Sequence, residues 1–115
     1  MDKKVNNVRD MALQLTVEIT EVCDSIKGRG VYTNQLMRAC SSIGANAYEA
    51  KYAQSNADFI SKLEISLKEC YETEYWLEVL FKIGDLSENI YKKLLNECGT
   101  IRFKLIKSLK TVKGK

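Results

Sequence analysis

The sequence contains no histidine and no proline. Without histidine the commonest general base and metal ligand is missing, and serine–histidine and cysteine–histidine catalysis are excluded. Without proline the commonest helix breaker is absent from the whole length. No run approaches the roughly 18 apolar residues that a membrane span needs. The opening Met1-Asp2-Lys3-Lys4 is not followed by the apolar core of an export signal, so the expected setting is the cytoplasm, with no membrane attachment. Neither sign of charge dominates: 18 basic side chains face 15 acidic ones, for a net charge of +3.

What is present fits a small globular protein. A chain of 115 residues is one domain by size. It is 45% hydrophobic and 29% charged, which argues against disorder. Four helical periods follow one another. Val5, Val8, Ala12, Leu15, Ile19, Val22 and Ile26 step by three and four, which predicts a first helix over 4–27. Gly28-Arg29-Gly30 breaks it. A second helix is predicted over 34–51, with Thr33 as N-cap and Leu36, Cys40, Ile43, Ala47 and Ala50 inward. Gly44 inside it predicts a close neighbour. Ser55, with Asp58 three residues on, predicts the start of a third helix, which Gly84 stops. The fourth begins near Asp85 or Ser87, with Ile90, Leu94, Cys98, Ile101, Leu105 and Leu109 on one face. Short connections between four helices predict an all-α, antiparallel up-down-up-down four-helix bundle in a single domain.

Four cysteines, at 23, 40, 70 and 98, are widely spaced and lack an export signal, so free thiols are expected. At about 1.5 Å of rise per residue, Cys23 lies roughly 6 Å and Cys70 roughly 20 Å from the end where the first two helices connect. Zn–S bonds are near 2.3 Å, so no shared metal and no cofactor are expected.

Two features exceed a plain bundle. In the segment 75–83, seven of nine residues are apolar or aromatic, wider than the one stripe that a single core needs. The third helix is then either central, with tyrosine and tryptophan at its rim, or it meets another subunit through Trp76, Leu80 and Phe81. The second feature is charge placement. From Gly99 onward Arg102, Lys104, Lys107, Lys110, Lys113 and Lys115 meet no acidic residue in the sequence. Such a strip suits phosphate binding, although a helix C-terminus also favours cations through its dipole. Arg38, Ser42, Asn46 and Glu49 lie at steps of four, four and three. They form a polar seam with Glu69 or Glu72 as partners, and its expected role is to fix helix register.

The segment Arg38-Ala39-Cys40-Ser41-Ser42-Ile43-Gly44-Ala45-Asn46-Ala47-Tyr48-Glu49-Ala50 resembles the signature of the bacterial four-helix-bundle proteins encoded in intervening sequences of large-subunit ribosomal RNA genes. Phe59-Ile60, Leu63, Ile65, Glu72, Thr73 and Leu77 resemble the family's third helix, and Leu86-Ser87 and Tyr91 its turn into the fourth. The likeness spans about residues 7 to 110. Ala50 stands where the family has glycine, which predicts a different turn there. The resemblance implies a homopentamer and no enzymatic activity. It also implies kinship with accessory proteins of diversity-generating retroelements, which are more basic than this chain, bind nucleic acid and work beside a reverse transcriptase. Two functions follow: a non-catalytic accessory protein binding RNA or DNA, or an oligomeric assembly module with no nucleic-acid ligand.

Overall fold

The computed structural model describes residues 3–114, with side chains from Asn7 onward; Val5 and Lys115, named above, lie outside the described side chains. Helix α1 spans Lys3–Ser25, α2 Gly30–Ala50, α3 Asn56–Lys82 and α4 Glu88–Lys113. No strand occurs among the described residues.

The helix ends follow from local chemistry. The Ser55 hydroxyl accepts from the Asp58 N–H at 3.1 Å, and the Asp58 carboxylate accepts from the Gln54 N–H at 3.1 Å. Two free donors at the start of α3 are thereby satisfied reciprocally. Ser87 caps α4 in the same way, accepting from the Ile90 N–H at 3.2 Å. At the end of α3, Gly84 adopts φ +90°. Its N–H reaches the Phe81 carbonyl, and the Asp85 N–H reaches that of Leu80, which is the Schellman arrangement for closing a helix.

The start of α2 departs from the expected position. Gly28, at φ +78°, makes the turn by itself, so Gly30 already belongs to the helix. The N-cap is Arg29, which makes no side-chain cap bond. Thr33 is a buried residue of the first turn, its hydroxyl donating to the Arg29 carbonyl at 3.2 Å. At the other end of α2, Ala50 is fully buried, and the chain turns at Lys51 in ordinary right-handed geometry.

Consecutive helices run antiparallel. Between α1 and α2, Ala12 meets Gly44, Thr16 meets Cys40 and Cys23 meets Thr33. Between α2 and α3, Arg38 meets Glu72, Ile43 meets Ser66 and Glu49 meets Lys62. Numbers rise in one helix as they fall in the next. Each helix packs against two others, α4 closing on α1. Gly44 is a point of close approach: a Cβ there would stand 3.3 Å from that of Ala12.

Leu15, Ile19, Leu36, Ile43, Leu63, Leu77, Leu80, Leu94, Ile101 and Leu105 are among the fully buried side chains of one continuous core. Burying each stabilises the fold by about 1.5–3 kcal/mol relative to exposure. Leu80, a candidate for a subunit contact, is therefore a core residue with no outward surface. The width of the third helix is absorbed largely within the chain. Trp76 stacks on Tyr32 with ring centres 5.9 Å apart, and Phe81 on Tyr91 at 4.3 Å. Tyr71 and Tyr75 are the aromatic residues of α3 that remain outward, each more than half exposed. No described helix is long and apolar enough to cross a membrane.

Candidate functional site

The antiparallel register brings the first half of α1, the last turns of α2, the first turns of α3 and the last turns of α4 to one end of the bundle. The Leu105–Leu109 face of α4 turns inward there, which leaves Lys107 and Lys110 exposed and Lys104 half-buried. The strip is not free of acids in space. Arg102 donates to Glu74 at 3.0 Å, and its guanidinium lies 5.6 Å from the Tyr71 ring centre. Lys113 pairs with Glu64 at 2.7 Å. Both acids come from α3, 28 and 49 residues away in the chain, so counting along the sequence cannot find them. Among the described residues Lys104, Lys107 and Lys110 make no ion pair. Lys107 lies over the Phe103 ring at 5.1 Å, and that ring is 58% exposed.

A second cluster at the same end is one that the sequence pattern does not reveal. Tyr48 and Tyr52, one helical turn apart where α2 finishes, meet edge to face at 5.6 Å. Arg9 lies 5.0 Å from the Tyr48 ring centre and Lys51 5.9 Å from that of Tyr52. Two tyrosines bracketing a lysine at the end of a helix are the available signal, but Arg9 joins them only through the fold. The end thus presents exposed rings, each accompanied by a cation.

The polar seam assembles between α2 and α3. Arg38 reaches Glu69 at 3.2 Å and Glu72 at 2.5 Å. The Asn46 amide donates to the Ser42 carbonyl at 2.9 Å and hydroxyl at 3.0 Å. Glu49 lies apart from this group and pairs with Lys62 at 3.1 Å. Glu69 is nearly buried, and desolvation raises its pKa, whereas the hydrogen bond from Arg38 lowers that of Glu72. One guanidinium of α2 thus holds two carboxyls of α3, which suits a register device.

The four cysteines are free and buried. Burial pushes Cys23 up to about 11 and Cys40 up to about 12. The Cys98 thiol donates to the Cys70 carbonyl at 3.5 Å, and hydrogen bonding with Cys70, and then burial, raises its pKa as well. A protonated, enclosed thiol is a poor nucleophile. Among the described residues no group of acids and cysteines is arranged to hold a metal ion.

Comparison with known proteins extends this picture. The protein family described as 23S rRNA-intervening sequence protein matches residues 4–107. A crystal structure of a protein with unknown function, from the S23 ribosomal protein family of Bacteroides thetaiotaomicron, superposes with a TM-score of 0.88. The two chains are 40% identical over 93% of this one and 98% of the other. No curated protein matches the chain.

Proposed function

The chain belongs to the 23S rRNA-intervening sequence protein family, and from that premise we propose that it is a non-catalytic nucleic-acid-binding accessory protein acting on RNA in the cytoplasm. One observation carries the reading: lysines of α4 that make no ion pair among the described residues and the cation-flanked rings of Tyr48, Tyr52 and Phe103 occupy the same end of the bundle. Phosphates take the lysines because each neutralised phosphate releases condensed counterions. A reverse-transcriptase complex is the partner class that the family resemblance adds, and DNA is the alternative polymer.

Assembly supports the same role. Leu13, Val17, Tyr71 and Tyr75 are exposed apolar or aromatic residues on the flanks of the bundle, and they suit contacts between copies of the chain. In a closed ring, for which the resemblance suggests five copies, the basic end repeats once per subunit. Weak contacts then add through effective concentration and offset the low net charge of one chain. Assembly without a nucleic-acid ligand is the second reading, favoured by those exposed side chains alone.

The experiment is binding to a structured RNA at low and moderate salt. Changing Lys107 and Lys110 to glutamine weakens binding and lowers the slope of log affinity against log salt by about one for each phosphate no longer neutralised. The fold survives, since both side chains are exposed. A parent protein that binds no RNA at low salt refutes the nucleic-acid reading and leaves the assembly module.

A further inference from the structure

We infer that the Tyr48–Tyr52 pair, flanked by Arg9 and Lys51, is a stacking platform for the unpaired bases of a single-stranded nucleic acid. The inference rests on the nucleic-acid reading above and adds to it the form of the ligand.

Tyrosine rings are large apolar surfaces, and folded proteins pack them against something. The far end of this bundle does so, closing Tyr32 on Trp76 and Phe81 on Tyr91. Tyr48 and Tyr52 are instead 45% and 66% exposed. Their planes stand at 85°, the edge of one against the face of the other, so no aromatic ring stacks parallel on either among the described residues. Tyr48, Glu49, Tyr52, Gln54, Asp58 and Lys62 line an open concavity of about 490 Å³, within the range of small-ligand sites.

Charge selects the occupant. Glu49 is engaged by Lys62, Arg9 by Asp10 at 2.9 Å and the Asp58 carboxylate by the Gln54 N–H, which leaves Lys51 as the cation of the cluster without an ion pair among the described residues. Arg9 lies over the Tyr48 ring and Lys51 over that of Tyr52, and Lys51 is placed to meet a phosphate next to a stacked base. Aromatic faces combined with cations along a strand are how proteins hold single-stranded nucleic acid without reading its sequence. A duplex keeps its bases stacked inside and offers these rings only its edges.

The test compares two short strands of equal phosphate number, one of uridines and one abasic, by fluorescence anisotropy at two salt concentrations. The uridine strand is expected to bind roughly tenfold tighter or more, the usual yield of one base–aromatic stack. Replacing both tyrosines by leucine erases that gap and leaves the salt slope unchanged. Replacing both by phenylalanine preserves the gap. Circular dichroism confirms that each variant retains its helices. Equal binding of the two strands, or leucine variants that bind as the parent does, overturns the stacking platform while the phosphate reading stands. Absence of binding to either strand at low salt overturns both.

Discussion

The two ends of the bundle use the same residue types to opposite purposes. The end that carries the α1–α2 and α3–α4 turns spans residues 15–40 and 70–98. It holds six basic and nine acidic side chains, and there Tyr32 closes on Trp76 and Phe81 on Tyr91, while Tyr71 and Tyr75 stay outward. Arg29 pairs with Asp85 at 2.7 Å and ties its two turns together. The end that carries the α2–α3 turn spans 7–14, 41–69 and 99–114. It holds nine basic and five acidic side chains, and its tyrosines face water beside cations. A ring buried against a neighbour contributes to stability, and a ring left open contributes surface for a partner. The contrast teaches that exposure and company, rather than residue type, separate structural aromatics from candidate binding ones.

Removing one ring from each end should break the comparison open. Trp76→Ala deletes a half-buried indole packed on Tyr32 and the core, and it should cost about 3 kcal/mol of unfolding free energy. Tyr52→Ala should leave stability unchanged. Urea denaturation of both variants reads this directly, and equal losses would erase the distinction between the two ends.

Each buried thiol, taken singly over the first pH unit above 9, should have a smaller effect. Folded Cys23 and Cys40 ionise near 11 and 12, above the ordinary 9.0. Below pH 9 folded and unfolded thiols are both protonated and contribute no slope. As pH rises past 9 the unfolded chain releases its protons first, so stability falls until the folded thiols also ionise. The loss should reach about 1.4 kcal/mol per pH unit for each thiol. Urea unfolding at pH 8 and pH 10 measures it, and a flat profile would mean that the thiols are accessible in the folded state.

The smallest effect concerns the tie between turns. Arg29 is well exposed, and exposed pairs of this kind are worth at most about 1 kcal/mol. Arg29→Ala should therefore lower stability by less than that, and the loss should shrink further in high salt. A loss as large as that of Trp76→Ala would mean that the pair, rather than the aromatic packing, holds that end closed.

Most of the fold is legible in the sequence because it rests on periodicity. The stripes of α1 and α4, the Ser55 and Ser87 caps and the Gly84 stop are local signals, and the structure follows them except at Ile90, which is 40% exposed in the first turn of α4, and at Ile26, which lies past the end of α1. The start of α2 lies earlier than predicted because two glycines in three residues suggest a loop, while only Gly28 needs the left-handed conformation. The breadth of α3 is legible, but its partners are not: Tyr32 and Tyr91 sit on other helices. The candidate site is the least legible part. The basic strip is visible, yet Glu64 and Glu74, which neutralise Lys113 and Arg102, come from another helix. Arg9 and Tyr48, far apart in the chain, meet only through the antiparallel register.

That register also shapes how the chain reaches its native state. Three of the four helix interfaces join neighbours in sequence, and only α1 against α4 closes a long loop. Topologies dominated by short-range pairings fold in microseconds to milliseconds. The entropy of loop closure falls mainly on the last seam, which the Lys93–Glu18 ion pair clasps. A three-helix unit completed by docking of the fourth is the order that this topology favours. Changes along the α1–α4 seam then act chiefly on the rate of unfolding, as interactions formed after the transition state do.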